Sequence, residues 1–106
     1  MLFRSQLDCL ARQYLWMNGV DFNHGTGHGI GCFLNVHETP PAISPNNRDI
    51  LIPNMVLSNE PGFYQAGNFG IRIENMMKVV EKQKGKALGF EMISFVPFCN
   101  ELIEKS

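Results

Sequence analysis

A segment in which every second residue is glycine restricts the fold of this chain more than any other feature. The glycines of residues 24–32 are Gly25, Gly27, Gly29 and Gly31. Such a density of glycine strongly opposes a helix, and a repeat of two is the period of a strand. A strand face made only of glycine lets another stretch of backbone approach closely. We therefore predict an extended ribbon that presents His24 and His28 in the same direction.

Ahead of this ribbon, apolar residues recur at helical spacing, which predicts a helix over residues 4–18. One apolar face of this helix is marked by Leu7, Leu10, Ala11 and Tyr14. Ser5 is placed to cap the start of the helix. Gly19 can end it, because glycine tolerates the left-handed conformation.

After the ribbon, β-type patterns alternate with turn signals. Strands are predicted over residues 34–38, which include His37, and over residues 55–60, 70–80 and 90–98. Pro61-Gly62 is predicted to be a turn, and residues 83–86 to be a hairpin connection. The tail, residues 100–106, is predicted to begin another helix. One helix followed by about five mostly antiparallel strands indicates a single α+β domain.

The composition excludes several functions. With a formal net charge of −1 over 106 residues, the chain has no strong attraction to nucleic acid or to an anionic membrane. No apolar run approaches the ~20 residues that a membrane span needs, and residues 1–5 do not resemble a signal peptide. Cys9, Cys32 and Cys99 form no CxxC pair. We therefore expect free thiols, no zinc knuckle and a cytoplasmic location.

Five side chains are candidates for chemistry, and three of them, His28, Glu60 and Glu74, come from separate predicted strands. The five are His24, His28, His37, Glu60 and Glu74. Imidazole nitrogen and carboxylate oxygen together suit manganese, iron, cobalt or zinc, and one carboxylate can bridge two metal ions ~3.5–4 Å apart. A purely structural interpretation is also open, in which the histidines bond backbone carbonyls and a glutamate pairs with Arg72.

Four motifs, in this order, resemble the Xaa-Pro aminopeptidase (aminopeptidase P) family of metallopeptidases. They are HGTGHGIG at 24–31, LNVHE at 34–38, SNEPG at 58–62 and GIRIEN at 70–75. The resemblance is most specific over residues 21–80 and extends more loosely to the rest. It implies that residues 1–106 form part of a catalytic domain, the second half of a pita-bread fold.

The resemblance also implies a centre with two divalent metal ions. His28 would be a ligand of one ion, Glu60 a second ligand of the same ion, and Glu74 the bridge between both. Manganese is the expected metal, with cobalt, zinc and iron as alternatives. Such metals lower the pKa of a bound water and polarise a carbonyl group, which suits hydrolysis of a peptide bond.

The implied substrate is a peptide with proline at its second position, from which the first residue is released. By the resemblance, His37 would stabilise the developing oxyanion at the scissile carbonyl, and His24 would help to shape the substrate pocket. Arg72 would orient a carboxylate ligand, as metal sites generally need. Glu60 is also a candidate for proton transfer to the leaving proline nitrogen.

The sequence departs from the family pattern in its aspartates. The family site has five protein ligands, and two of them are aspartates upstream of the HGTGH motif. Asp8, Asp21 and Asp49 are the aspartates of this chain, and none has the expected setting. We therefore expect weakened metal binding and an inactive isolated fragment.

A fragment of this kind has further consequences. The face that packs on the missing half should be exposed and apolar, which favours a homodimer or association with the missing N-terminal half. An alternative function is a non-catalytic interaction module of the same fold. A related aminopeptidase, specific for methionine or for proline dipeptides, is a further alternative that differs only in substrate.

Overall fold

One helix precedes seven short strands in the computed structural model, which describes residues 4–104. The elements are α1 (Arg4–Trp16), β1 (Gly27–His28), β2 (Ala42–Ile43), β3 (Val56–Asn59), β4 (Gly62–Gln65), β5 (Phe69–Arg72), β6 (Asn75–Gln83) and β7 (Ala87–Met92), with a 3₁₀ turn at Asn100–Leu102. Every strand pair is antiparallel. The predicted α+β class is confirmed.

The strands form three small sheets with β3 at the junction. The largest has the order β3-β6-β7, while β1 pairs with β2 and β4 with β5. An isolated bridge between Gly29 and Leu57 connects the end of the glycine ribbon to β3. This bridge places the ribbon, which carries the histidines, beside β3, which leads into Glu60.

Several predicted strands differ from the structure, the first being residues 34–38 and the ribbon. Residues 34–38 form bends instead of a strand, because Leu34 has a positive φ of 58°. The segment closes as a loop on the ribbon, where Gly31 N–H donates to Asn35 O at 2.8 Å and Glu38 N–H donates to Gly29 O at 2.9 Å. The ribbon itself has strand pairing only at Gly27–His28 and one bridge at Gly29.

The predicted strand over residues 70–80 is broken at Ile73 and Glu74. The part before the break, β5, pairs with β4, and the part after it, β6, pairs with β3 and β7. A strand that changes partners has to bend, and alternation along the sequence does not reveal the partner. Pro61-Gly62 is not a turn, since Gly62 begins β4, and the turn of that hairpin is at Gly67 (φ 72°).

The remaining boundaries shift by a few residues. The hairpin connection over residues 83–86 is confirmed as a turn, with Gly85 at φ 66°. The return strand spans Ala87–Met92 rather than residues 90–98, and the tail begins only a 3₁₀ turn. The end of that predicted tail helix, residues 105–106, lies outside the described residues. The helix ends at Trp16, and Gly19 has the left-handed conformation expected of it (φ 70°).

Glycine in the ribbon permits a close backbone approach, as predicted. A Cβ atom on Gly27 would lie 2.0 Å from Ser58 O, and one on Gly29 would lie 2.0 Å from Glu38 O. Both obstacles are backbone atoms, which cannot move aside as a flexible side chain can. The absence of a side chain at these positions is therefore what allows β3 and the 34–38 loop to close on the ribbon.

Helix α1 buries a polar stripe instead of its apolar face. Arg4, Asp8 and Arg12 are 1%, 1% and 3% exposed, whereas Leu10 and Tyr14 of the predicted apolar face are 56% and 70% exposed. Buried charges require partners. Hydrogen bonds of the polar stripe therefore hold this helix in place, while Leu7 of the predicted apolar face is half-buried against the core and Leu10 and Tyr14 are exposed.

Arg12 is the centre of the buried polar stripe. Its guanidinium donates to Asp8 at 2.7 Å, to Asp21 at 2.8 Å and to His24 O at 2.7 Å, and it also donates to Phe22 O. Its Cζ atom lies 3.9 Å from the centre of the Phe22 ring. Burial opposes the charge, but the hydrogen bonds and charges of both aspartates outweigh it, so the pKa of Arg12 is raised.

The apolar core is small. Its buried members are Ile43, Leu57, Met77 and Val79. Many large apolar side chains are exposed instead, including Met17 (79%), Phe33 (85%), Phe95 (88%) and Val96 (83%). The predicted exposure of an apolar surface is therefore observed in residues 4–104. No helix in this part of the chain is long and apolar enough to cross a membrane.

Replacing Gly27 by alanine should lower the free energy of unfolding by about 1–3 kcal/mol, because the new Cβ would overlap Ser58 O and force the ribbon away from β3. Urea titration of the variant measures this change. Gly89→Ala is the matched control, since its Cβ would meet only the flexible side chain of Lys82. Equal stability losses in the two variants would contradict the prediction.

Acid should destabilise the chain partly through Asp21. Its pKa is lowered by the hydrogen bond from the Trp16 indole and then by Arg12 and the Phe22 N–H. A lowered carboxyl pKa contributes stability that is present above the ordinary value of 3.8 and lost as the pH falls through the lowered value. Asp21→Asn should therefore be less stable than wild type at pH 7.

The difference between Asp21→Asn and wild type should vanish below the folded-state pKa of Asp21. Unfolding in urea at a series of pH values tests this, with the fluorescence of Trp16, the only tryptophan, as the signal. Trp16 Nε1 donates to Asp21 Oδ2 at 2.8 Å, so its emission reports directly on this contact. A constant stability difference across the pH range would show that Asp21 makes no such contribution.

Candidate metal centre

Three of the five predicted side chains converge at one point. His28 comes from β1, Glu60 follows β3 directly, and Glu74 lies at the bend between β5 and β6. One ligand atom from each lies within 4.8 Å of the other two. The sequence did not reveal that β5 and β6 pair with different strands, or that the chain bends between them. These pairings and this bend bring the two glutamates to the same place.

His28 has an acceptor at each ring nitrogen. Nδ1 lies 3.0 Å from Gly29 O, and Nε2 lies 3.3 Å from Glu60 Oε2. A proton on Nδ1 satisfies the carbonyl and leaves the Nε2 lone pair directed at the carboxylates. Ligand histidines in metal sites commonly have this arrangement, in which the second nitrogen donates to a backbone carbonyl.

Two short hydrogen bonds hold the ligand-bearing segments in register. Glu60 N–H donates to Thr26 O at 2.7 Å, and His28 N–H donates to Ser58 Oγ at 3.0 Å. Ser58 is fully buried and Thr26 nearly so, at 0% and 1% exposed. The separation of His28 and Glu60 is therefore held by one backbone–backbone bond and one bond to a buried hydroxyl, and not only by the rotamers of the two side chains.

The cluster has an electrostatic imbalance that a cation would correct. Partial desolvation, followed by the adjacent Glu60 carboxylate, raises the pKa of Glu74, while His28 and Arg72 act in the opposite direction. A carboxylate beside another carboxylate is costly to ionise. Nε2 of His28 and both carboxylates are electron-pair donors, a donor set that suits manganese, iron, cobalt or zinc. The residues present therefore fit a divalent metal.

His37 stacks on the same cluster from the 34–38 loop. Its ring centre lies 4.0 Å from that of His28, with the planes inclined by 44°. The side chain belongs to an exposed residue. It therefore lies at the open side of the cluster, where an incoming ligand can reach it.

His24 lies apart from the cluster and contacts other partners. Its Nδ1 lies 2.8 Å from Gly25 O, and its Nε2 lies 2.7 Å from the Tyr64 hydroxyl. Arg72 Nε donates to that same hydroxyl at 2.8 Å. Residues 21–24, Tyr64 and Arg72 line an open cleft beside this contact. The two histidines of the ribbon thus lie at different sites, His28 in the cluster and His24 at the cleft.

Arg72 does not make the contact expected of it. Among the ion pairs of residues 4–104, none joins Arg72 to Glu60 or Glu74. Both carboxylates still act on it at longer range and help to raise its pKa, after the larger effect of the Tyr64 hydrogen bond. The structural interpretation in which Arg72 neutralises a glutamate is therefore wrong for this structure.

The three aspartates are engaged elsewhere, as their setting in the sequence suggested. Asp8 and Asp21 bind Arg12, and Asp49 lies 3.6 Å from Arg4 at the other end of the helix. The metal-ligand cluster found in residues 4–104 contains none of them. The cluster thus holds three candidate ligands, against the five that the resemblance implied.

Sequence reasoning missed three residues that organise the site, namely Thr26, Ser58 and Tyr64. Thr26 lies midway between the histidines, and Ser58 lies two residues before Glu60. Side chains two apart on a strand share a face, which is the signal that could have singled out both. Tyr64 was missed because the turn predicted at Pro61-Gly62 left residues 63–65 without a predicted strand.

The chain belongs to metallopeptidase family M24, whose sequence profile matches residues 4–81. The probable Xaa-Pro aminopeptidase P of Metarhizium acridum (strain CQMa 102) is 55% identical over 108 aligned residues, covering 93% of this chain and 18% of that protein. The relative of the same name in Sordaria macrospora is 53% identical and covers 94% of this chain and 18% of that protein. The chain therefore spans less than a fifth of the length of these relatives.

Solved structures agree with this assignment. An X-prolyl aminopeptidase from Caenorhabditis elegans, described as a cytosolic enzyme with a di-nuclear active site, matches with a TM-score of 0.85 and 43% identity over 97% of this chain and 17% of that one. A prolidase from Pyrococcus furiosus matches with a TM-score of 0.78 and 30% identity over 92% of this chain and 27% of that one. The fold is the second half of a pita-bread domain, as the resemblance implied.

Replacing Glu74 by glutamine should stabilise the metal-free chain at pH 7. A raised carboxyl pKa contributes stability that is present below the ordinary value of 4.5 and lost as the pH rises through the raised value. Glutamine removes the charge at every pH. Thermal unfolding in EDTA should therefore show a higher Tm than wild type at pH 7 and no gain at pH 3.

Glu91→Gln is the control for this measurement, because it removes a carboxylate from β7 without touching the cluster. It should show no comparable gain at pH 7. A lower Tm for Glu74→Gln at pH 7 would mean that the Glu74 carboxylate stabilises the metal-free fold, contrary to the prediction.

Proposed function

We propose that this chain supplies three ligands of a dinuclear metal centre in an Xaa-Pro aminopeptidase that releases an N-terminal residue preceding proline. The observation that carries the proposal is the convergence of the His28, Glu60 and Glu74 ligand atoms within 4.8 Å. Relatives named probable Xaa-Pro aminopeptidase P and the di-nuclear site of the Caenorhabditis elegans enzyme support it.

Each ligand has a distinct place in the proposed centre. His28 Nε2 and Glu60 Oε2, 3.3 Å apart, would hold the same cation, and Glu74 would be shared between that cation and a second one. When bound, two divalent ions lower the pKa of a water and polarise the peptide carbonyl. We expect manganese, with cobalt, zinc and iron as alternatives, because the donors are nitrogen and oxygen without a thiolate.

The other residues of the chain act on the substrate. His37, stacked on His28 at the exposed side of the cluster, donates a hydrogen bond to the scissile carbonyl oxygen and stabilises the oxyanion. Glu60 would carry the proton to the leaving proline nitrogen, because this residue is only 8% exposed and its Oε2 lies 3.3 Å from His28 Nε2 in the cluster. His24, with Tyr64 and Arg72, forms the wall of the adjoining substrate cleft.

The remaining parts of the enzyme lie outside this chain. Two aspartate ligands are expected from the rest of the catalytic domain, so the chain alone is proposed to be inactive. The C. elegans enzyme is described as cytosolic, and the three free cysteines are compatible with a reducing compartment. We therefore propose a cytoplasmic protein whose partners are the peptide substrate and either the N-terminal half or a second copy.

A non-catalytic interaction module is the second candidate. The observation in its favour is the extent of exposed apolar surface, with Leu34 at 92% and Phe95 at 88% exposed. The chain has all three candidate ligands and the two hydrogen bonds that hold their segments in register, and this favours the enzyme. The two candidates differ in whether a complete domain containing this chain binds metal and cleaves peptide.

A chimera tests the proposal directly. This chain replaces the matching segment of the Metarhizium acridum relative, to which it is 55% identical. With Mn²⁺, the chimera should release alanine from Ala-Pro-Ala and not from Ala-Ala-Ala. Glu74→Ala should reduce the rate by well over the roughly 10–100-fold that loss of an outer partner costs, whereas Lys84→Ala in the exposed hairpin turn should not.

The substrate panel separates the alternatives. Cleavage of Ala-Pro but not of Ala-Pro-Ala would indicate a prolidase, and cleavage of Met-Ala-Ala alone would indicate a methionine-specific enzyme. A folded chimera that binds no Mn²⁺ and cleaves none of these peptides would favour the interaction module. The released amino acid, measured by chromatography, is the signal in every case.

A further inference from the structure

Thr26 connects helix α1 to the segment that carries Glu60. Its side chain is 1% exposed, and its hydroxyl donates to Asp8 Oδ1 at 2.6 Å. Its carbonyl accepts the Glu60 N–H at 2.7 Å. One buried residue is thus bonded through its side chain to the helix and through its backbone to a candidate metal ligand.

The helix end of this connection is rigidly held. Asp8 is 1% exposed and accepts Arg12 Nε at 2.7 Å through its other oxygen. Arg12 in turn donates to the carbonyl oxygens of Phe22 and His24, just before Thr26. The Asp8 carboxylate therefore cannot follow Thr26 if the ribbon moves, so the hydroxyl bond acts as a fixed tether.

The ribbon end of the connection sets the distance between two ligands. Thr26 O bonds Glu60 N, and two residues further along the ribbon His28 N bonds Ser58 Oγ. The first bond joins two backbones and the second joins a backbone N–H to a buried serine hydroxyl, so the ribbon is cross-linked to the β3 segment on either side of Gly27. Any slip or lift of the ribbon at Thr26 changes the 3.3 Å separation of His28 Nε2 and Glu60 Oε2.

We propose that the Thr26 hydroxyl, tethered to Asp8, is a positioning group that holds His28 and Glu60 at metal-binding distance. The inference rests on the proposed function, in which both are ligands. Burial alone does not account for a hydroxyl here, because valine has the same shape without the cost of burying a polar group. Groups that orient metal ligands typically contribute about 10–100-fold in affinity.

The test compares variants that differ in one atom group. Thr26→Val keeps the shape and loses the hydroxyl, and Thr26→Ser keeps the hydroxyl and loses the methyl group. Val79→Ala is the control for general destabilisation, because it truncates the core without touching Thr26 or Asp8. Should the valine variant not fold, Thr26→Ala is compared with Thr26→Ser, since these two lack the methyl group alike.

The first measurement is calorimetric titration of the metal-free chain and its folded variants with Mn²⁺. Loss of overall stability does not alter the affinity of molecules that remain folded. Thr26→Val should therefore weaken binding by about 10–100-fold, while Thr26→Ser and Val79→Ala stay near the wild-type affinity. Equal affinities for wild type and Thr26→Val would overturn the inference and leave the proposed function intact.

The second measurement is amide hydrogen exchange without metal. Thr26→Val should accelerate exchange at the Glu60 and His28 amides far more than at the Val80 amide in the β6–β7 hairpin, and Val79→Ala should show no such preference. A uniform acceleration in Thr26→Val would overturn the inference. Should the isolated chain bind no measurable Mn²⁺, as the two missing aspartates allow, this exchange pattern decides whether Thr26 positions the two residues, and the chimera decides the metal proposal.

Discussion

The buried guanidinium of Arg12 is the contact on which the arrangement of this chain depends. It satisfies two aspartates and two backbone carbonyls that lie before the ribbon, and so it fixes where the helix ends and the ribbon begins. A buried ion pair adds little net stability, since desolvation offsets the attraction, but removing one partner is costly. Its contribution is therefore specificity, because a slipped helix would leave charges buried without partners.

The close approach of β3 to the ribbon depends on glycine as well as on Arg12. Once the start of the ribbon is fixed, β3 can reach it only because Gly27 has no side chain to meet Ser58 O. The close approach then allows Glu60 N–H to reach Thr26 O and His28 N–H to reach Ser58 Oγ. The histidines, the glycines and Thr26 thus form one unit, in which the small residues position the ones with chemistry.

The sequence predicted local features well and pairing poorly. The candidate residues, the glycine ribbon and the turn at Gly85 followed from residue chemistry that acts within a few positions. The break at Glu74 could not be predicted, because it results from β5 and β6 having different partners. Burial of the helix was also unpredictable, since its stripe of Arg4, Asp8 and Arg12 is buried by hydrogen bonds to distant residues.

The resemblance supplied what residue chemistry left open, namely that separate strands meet. The structure adds the reason. The convergence of His28, Glu60 and Glu74 arises from contacts among residues 26–76, chiefly the ribbon against β3 and the bend that returns β6 to β3. The geometry of the three candidate ligands is thus built locally, with two carboxylates and one imidazole close to one another.

Such a local arrangement has an electrostatic consequence. Without a cation, the neighbouring carboxylates oppose ionisation and the pKa of Glu74 rises. The repulsion between these carboxylates therefore opposes the contacts that bring the cluster together, among which is the buried hydrogen bond from Thr26 to Asp8 on the ribbon side. If the cluster holds a cation as proposed, the preformed arrangement would lower the stability of the empty fold and reduce the rearrangement on binding.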